Sequence, residues 1–191
     1  MGLLNKHLGN VVPMAEGGHD EIDDSRSIDN QTNMTMTDED LRLLQLAIKE
    51  AKKCTPTATA FCVGCVVSDP DMHQVLATGY SRELPGNTHA EECALQKLAQ
   101  SGRQYKGLDL YTTMEPCSER LSGNKPCTDR ILEADGLIGR VILGVREPDD
   151  FVNCIGAEKL RENGIIVVHN INPELENECL KVAKRGHEQG K

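Results

Sequence analysis

The sequence predicts an α/β protein, a three-layer α/β/α sandwich built around a mixed five-stranded sheet. Two apolar runs early in the chain are joined by the turn-rich link "DPDMHQ", which is typical of an antiparallel hairpin. Further along, three strand-like runs alternate with helical segments, and such helices imply right-handed parallel crossovers. A sheet with both kinds of pairing, covered by helices, gives the layered class.

The predicted elements follow the order α-β-β-α-β-α-β-α-β-α. The first helix is expected over residues 38–53, because Thr37 is a good N-cap, acidic residues fill the first turn and apolar residues recur with helical spacing. The other elements are strands at 60–68 and 74–81, a helix at 89–100, a strand at 108–115, a helix at 126–135, a strand at 140–145, a helix at 153–163, a strand at 165–170 and a helix at 173–185.

The predicted domain organisation has three parts. Residues 1–36 are expected to be a flexible N-terminal extension, because the segment is polar, rich in Gly and Asp and without apolar periodicity. Residues 37–172 hold the predicted folded domain, and residues 173–191 form a C-terminal helix and tail.

The composition limits the classes of partner. A formal net charge of −9 and an aromatic content of 3% argue against a nucleic-acid binder, which needs basic patches and stacking faces. No run approaches the ~18 apolar residues of a membrane span, and the first residues do not resemble a signal peptide. We therefore expect a cytoplasmic protein, with nuclear access left open, whose cysteines stay reduced.

The candidate chemistry lies in two short stretches, "HAE" at a helix start and "PC…PC" at a strand-to-helix junction. His89, Cys117 and Cys127 offer the imidazole and thiolate ligands that zinc prefers, and a catalytic site keeps three protein ligands. Zinc lowers the pKa of a bound water, and Glu91 is close enough in sequence to carry a proton from that water to a substrate. This combination is the pattern of zinc deaminases.

Each of these residues also has a structural interpretation. Thr88 and Glu91 fit the T-x-x-E pattern of a capping box, which would give Glu91 a role in helix stability alone. The cysteines could be inert buried thiols. A second pair, Cys62 and Cys65, matches the C-x-x-C pattern, but it lies in an apolar run that favours buried side chains over a redox site.

The stretches "THAE" and "TMEPCSERLSGNKPC" resemble the cytidine deaminase superfamily. Within it, the pattern E-P-C-S-x(n)-G-x(n)-P-C is similar to the diaminopyrimidine deaminases of riboflavin biosynthesis, and most similar to their fungal members. The resemblance implies a cytidine deaminase-like fold, one catalytic zinc ion held by His89, Cys117 and Cys127, Glu91 as proton shuttle, and a homodimer. The implied reaction is hydrolytic removal of the 2-amino group of 2,5-diamino-6-ribitylamino-4(3H)-pyrimidinone 5′-phosphate.

Substrate contacts are less well marked by the sequence. The chain differs from the bacterial enzymes at Arg82, where they usually carry a histidine. It also differs in the loop between Cys117 and Cys127, called the cysteine loop below, where their basic residue lies earlier than Lys125 does. Charged or polar residues near the motifs could contact a phosphorylated aminopyrimidine, although each could also be an ordinary surface residue. These candidates are Arg82, Asn87, Arg120, Lys125, Glu147 and Asn153.

Two other functions compete with the implied one. The first is deamination of deoxycytidylate or of a base in RNA by a member of the same superfamily. The second is a non-catalytic binding module, in which a fourth ligand such as His169 or His187 closes a structural zinc site.

Overall fold

The structure is a computed structural model that describes residues 36–146 and 155–187, all within one compact unit, Met34–Lys191. Its ten elements occur in the predicted order. They are α1 Asp38–Ala51, β1 Gly64–Asp69, β2 Gln74–Tyr80, α2 Ala90–Gln100, β3 Leu108–Thr112, α3 Cys127–Glu133, β4 Ile138–Leu143, α4 Gly156–Glu162, β5 Ile166–His169 and α5 Pro173–Ala183.

The five strands form one sheet in the order β2-β1-β3-β4-β5. β1 pairs antiparallel with both β2 and β3, whereas β3, β4 and β5 pair in parallel. The hairpin and the parallel crossovers predicted from the sequence are therefore confirmed. The sheet carries both kinds of pairing, as its predicted class requires.

Helices cover both faces of the sheet, and the strands alternate their side chains between the two cores. Val66 of β1 faces the core built with α1 and α5, while Cys65 and Val67 face the core built with α2, α3 and α4. This alternation follows from the two-residue period of a strand. The three-layer α/β/α class is thus confirmed, and α5 belongs to one of its outer layers through Leu175, Cys179 and Val182.

The first strand begins later than predicted. The backbone N–H of Cys62 donates to Ala183 O at the end of α5, at 2.9 Å, so this part of the apolar run joins a helix and not a neighbouring strand. β1 starts at Gly64, which leaves Cys62 before the strand and Cys65 inside it. Both thiols are free and fully buried, which agrees with the structural interpretation of the C-x-x-C pair.

The described helices are too short or too polar to cross a lipid bilayer. The predicted extension, residues 1–36, lies outside the described residues except for Met36, and the three-part domain division stays a prediction.

Candidate metal centre and active site

The three candidate metal ligands meet where β3 ends and where α2 and α3 begin. His89 is the N-cap of α2, and Cys127 is the first residue of α3. Cys117 follows β3 in the connecting loop. Each ligand is therefore held by the terminus of a regular element or close to one.

Two glycines allow this close assembly. A Cβ at Gly79 of β2 would lie 2.2 Å from Ala90 O, so the glycine lets the first turn of α2 pack directly on the sheet. A Cβ at Gly156 would lie 1.9 Å from Pro116 O, so the start of α4 can reach the backbone next to Cys117. Any side chain at either position would push a ligand-bearing segment away.

The ligand atoms of the three residues form a tight group. His89 Nδ1 lies 3.5 Å from Cys117 Sγ and 3.4 Å from Cys127 Sγ, and all three ligand atoms lie within 4.8 Å of one another. In residues 36–146 and 155–187, no other group of three or more His, Cys, Asp or Glu side chains is arranged to hold a metal ion. Neither His169 nor His187 belongs to the group.

The chemistry of this donor set fits zinc. One imidazole nitrogen and two thiol sulfurs are the ligands of a known class of catalytic zinc site. A hydrogen bond with Cys127 and contacts with His89 lower the pKa of Cys117 to about 4, against the opposing effect of burial, so that a thiolate is available to a cation. The Cys117 thiolate and burial in turn raise the pKa of Cys127.

The carboxylate of Glu91 is buried directly beside the ligand group. Its Oε1 lies 2.9 Å from Thr112 Oγ1, and its Oε2 lies 3.3 Å from Cys127 Sγ. The residue is only 2% exposed, and this burial raises its pKa. A carboxyl group with a raised pKa, next to a metal site, is suited to accept and return a proton.

The capping-box interpretation of Glu91 is wrong by one residue. Helix α2 is capped at His89, whose backbone N–H donates to the Glu92 carboxylate at 3.4 Å. The hydroxyl of Thr88 instead donates to Leu84 O at 2.8 Å. Because Glu92 serves the helix end, the side chain of Glu91 points to the ligand group.

A cavity of about 180 Å³ opens onto the site. His89, Glu91 and Cys117 line one part of it. Three of the predicted substrate-contact residues, Arg82, Asn87 and Arg120, also line it, as does Phe61. The cavity thus brings the proposed reacting groups and several candidate contacts into one space.

Of the other predicted contacts, only Lys125 lies within the described residues. The ammonium of Lys125 pairs with the Glu133 carboxylate on the exposed surface, and Lys125 does not line the cavity. Glu147 and Asn153 lie outside the described residues. Their proposed contacts with substrate stay predictions.

The two arginines of the cavity differ in how their charge is balanced. Arg120 donates to the Glu92 carboxylate at 3.2 Å and to Asn87 O at 2.6 Å. Arg82 donates to the carbonyl oxygens of Phe61 and Thr55 and to Cys54 Sγ. Among the ion pairs of the described residues, none involves Arg82, so its charge is not neutralised by an acid there.

Residues 37–145, more than half of the chain, match the family described as "Cytidine and deoxycytidylate deaminase zinc-binding region". The chain belongs to this deaminase family. The match covers every residue of the candidate metal centre and the cavity wall. The resemblance drawn from the sequence motifs is therefore confirmed.

Curated relatives in this family include two fungal proteins. The Schizosaccharomyces pombe diaminohydroxyphosphoribosylamino-pyrimidine deaminase is 47% identical over 143 residues, covering 74% of this chain and 34% of that protein. The Candida albicans cytosine deaminase is 34% identical over 152 residues, covering 76% of this chain and 87% of that protein. The chain spans about a third of the length of the first of these relatives.

A solved structure from the family has the same fold. The Aspergillus oryzae Rib2 deaminase in complex with DARIPP, a C-terminal deletion mutant, superposes with a TM-score of 0.68 at 33% identity. The comparison covers 79% of this chain and 93% of that one. The cytidine deaminase-like fold expected from the motifs is confirmed.

Two residues beside the metal centre of this deaminase-family chain, Thr112 and Glu92, were not predicted from the sequence. Thr112 ends the buried strand β3, and a polar side chain at the carboxyl end of such a strand is a usable signal. Glu92 directly follows Glu91 in the first turn of α2. The sequence pattern placed the N-cap of α2 at Thr88, one residue before its observed position at His89. This position decides which of the two acids accepts from the N-cap and which faces the ligand group.

Proposed function

We propose that this chain is a zinc-dependent hydrolytic deaminase of riboflavin biosynthesis. The reaction is removal of the 2-amino group of 2,5-diamino-6-ribitylamino-4(3H)-pyrimidinone 5′-phosphate, with release of ammonia. One observation carries the proposal: the buried carboxylate of Glu91 lies 3.3 Å from Cys127 Sγ, beside a His-Cys-Cys group at the end of a cavity.

His89 Nδ1 and the sulfurs of Cys117 and Cys127 would hold the metal. Zinc, when bound, supplies an activated water near neutral pH. As the water oxygen bonds to the carbon that carries the 2-amino group, Glu91 would move one proton from the water to the ring nitrogen and then the second proton to the departing amine. The C–N bond to the amino group breaks, a carbonyl replaces it, and ammonia carries away the nitrogen.

Thr112 and the surrounding burial prepare Glu91 for this role. The Thr112 hydroxyl lies 2.9 Å from one carboxylate oxygen, which leaves the other oxygen facing the ligand group. With both residues almost fully buried, Glu91 is shielded from bulk water and is held in one orientation.

The phosphate of the substrate requires a cation, and Arg82 is the candidate that the cavity favours. Its side chain lines the cavity, and no ion pair among the described residues neutralises it. Arg guanidinium groups bind phosphate with charge-assisted hydrogen bonds. The named activity of the S. pombe relative and the DARIPP complex of the A. oryzae structure support a phosphorylated or ribityl aminopyrimidine as the substrate class.

A panel assay for ammonia release tests the proposal. The panel contains the ribityl pyrimidine phosphate, its ribosyl counterpart, deoxycytidylate, cytidine and cytosine, each with zinc-loaded and chelator-treated protein. We expect turnover of the ribityl phosphate, loss of that turnover on metal removal and recovery with added zinc. Preference for deoxycytidylate or cytosine would assign a different reaction to the same site. No turnover of any substrate by the zinc-loaded protein would favour a binding module.

The expected cellular location and assembly belong to the same proposal. We infer a reducing compartment such as the cytoplasm, because the seven cysteines in the described part of the chain are all free. The homodimer implied by the family resemblance is tested by light scattering of the purified protein.

A further inference from the structure

The carboxylate of Glu92 contacts all three segments that carry the proposed metal ligands. Its Oε2 accepts from His89 N at 3.4 Å and lies 3.2 Å from Arg120 Nη1. Its Oε1 lies 2.7 Å from Arg130 Nη2. Arg120 follows Cys117 in the connecting loop, and Arg130 lies one turn after Cys127 in α3.

We propose that Glu92 is a positioning residue that sets the spacing of His89, Cys117 and Cys127 for metal binding. The inference rests on the zinc site of the proposed function, although not on its substrate. Glu92 itself is not in the ligand group. It acts through the backbone of His89 and through two arginines that belong to the other two ligand segments.

Burial makes this link strong enough to affect the site. The side chains of Glu92 and Arg120 are only 8% and 2% exposed, so their ion pair is largely shielded from bulk water. Loss of the carboxylate leaves the Arg120 guanidinium buried without its acidic partner, which is far more costly than loss of a surface ion pair. We expect the cysteine loop to shift when Glu92 is replaced, because Arg120 then lacks its acidic partner.

The contact network offers few substitutes for Glu92. Arg120 also donates to Asn87 O, which ties the loop to the segment just before His89, but this contact does not reach α3. The carboxylate of Glu92 has two oxygens and joins loop, helix α2 and helix α3 at one point. Residues that orient metal ligands from outside the ligand set commonly change metal affinity by about 10- to 100-fold when they are replaced.

Zinc affinity of the purified protein tests the proposal without any substrate. Glu92→Ala removes all three contacts, and Glu92→Gln keeps the size and one oxygen acceptor but removes the charge. We expect competition with a chromophoric chelator to show zinc affinity lowered by about 10- to 100-fold in Glu92→Ala and less in Glu92→Gln. In the cobalt-substituted protein, the d–d absorption band should shift, because the ligand geometry changes.

Two control variants separate positioning from general stability. Leu98→Ala creates a cavity at the far end of the same helix, where Leu98 is buried in the core, and should lower the melting temperature without changing zinc affinity. Asp129 lies next to Arg130 in α3 and pairs with Lys159 of α4. Asp129→Asn breaks this ion pair and should change neither zinc affinity nor the cobalt spectrum.

The outcomes are distinct. If Glu92→Ala does not fold, Glu92→Gln decides by the same two measurements. Zinc affinity within about threefold of wild type, with an unchanged cobalt spectrum, in the folded variants would overturn the inference. So would an equal loss of affinity in Leu98→Ala, since that would trace the effect to stability. Failure of the wild-type protein to turn over any substrate, with normal zinc binding, would reject the proposed reaction and leave this inference intact.

Discussion

The hydroxyl of Thr112 lies 2.9 Å from Oε1 of Glu91, at the point where β3 ends beneath the start of α2. The same hydroxyl lies 2.8 Å from Met114 O. Thr112 is fully buried, so its hydroxyl has no access to solvent. This contact joins the sheet to the carboxylate that we propose as the proton carrier.

Replacement of this hydroxyl should impair turnover without loss of the metal. Thr112→Val keeps the shape but leaves the Glu91 carboxylate without its partner, and hydrogen bonds to charged groups are typically worth ~1.5–3 kcal/mol. We expect kcat to fall by about tenfold or more, with zinc content unchanged. Thr112→Ser, which keeps the hydroxyl, should stay near wild type. Equal rates for the Val and Ser variants would remove Thr112 from the mechanism.

Substitution of either cysteine ligand should release the metal. Cys117→Ser and Cys127→Ser each replace a thiolate with a hydroxyl that zinc binds poorly at neutral pH. We expect elemental analysis to find about one zinc ion per wild-type chain and well below that in both variants. Cys179→Ser is the matched control, because Cys179 is equally buried but lies in α5, away from the ligand group. Full zinc retention in both ligand variants would reject the assignment.

Two cations give opposite expectations for phosphate recognition. Arg82→Met should raise KM more than it lowers kcat, because a phosphate contact made equally in the ground and transition states contributes uniform binding. Lys125→Ala, at another cation that the sequence offers as a substrate contact, should change KM little, because Lys125 pairs with Glu133 outside the cavity. Steady-state kinetics on the phosphorylated substrate separates them. The reverse ranking would place the phosphate over the cysteine loop.

Much of the fold could be predicted because its signals are local. The hairpin link and the alternation of helices and strands determined the order of elements and the mixed sheet, and both are observed. The start of β1 could not be predicted, because Cys62 gives its backbone N–H to Ala183, a residue more than a hundred positions away. An apolar run alone does not show whether its backbone will hydrogen-bond to a neighbouring strand or to the end of a helix.

The same distinction between local signals and distant partners applies to the site. The His-Cys-Cys group could be predicted because zinc chemistry limits the residue types and the elements that carry them. The partners of the cations could not, since Arg120 meets Glu92 and Lys125 meets Glu133 only after the chain folds. The N-cap of α2 lies one residue later than the T-x-x-E pattern placed it, so the capping role that the pattern offered to Glu91 belongs to Glu92.

Close packing beside Cys117 gives a prediction about stability. In Gly156→Ala, the new Cβ would meet Pro116 O at 1.9 Å, so α4 or the cysteine loop must move. Overpacking typically costs ~1–3 kcal/mol, and we expect a clearly lower melting temperature together with reduced zinc retention. Glu158→Ala, at an exposed position of the same helix, is the control and should melt near wild type. A wild-type melting temperature for Gly156→Ala would contradict the packing described for this junction.

Glu91→Gln is the sharpest test of the proposed mechanism. An amide matches the size of the carboxylate and can still contact Thr112, but it cannot accept and return a proton. General acid–base groups typically contribute ~10²–10⁴-fold, so turnover should fall by at least about 10²-fold. Zinc content should remain at the wild-type level, because Glu91 is not part of the ligand group.

The stability of Glu91→Gln separates the two roles that the sequence allowed for this residue. Because Glu92, and not Glu91, accepts from the N-cap of α2, we do not expect the substitution to weaken the helix. Glu92→Gln, the neighbouring isosteric change, should instead act on zinc affinity. Turnover of Glu91→Gln within a few-fold of wild type would show that the carboxylate carries no proton, and a closed structural zinc site would then explain the same geometry better.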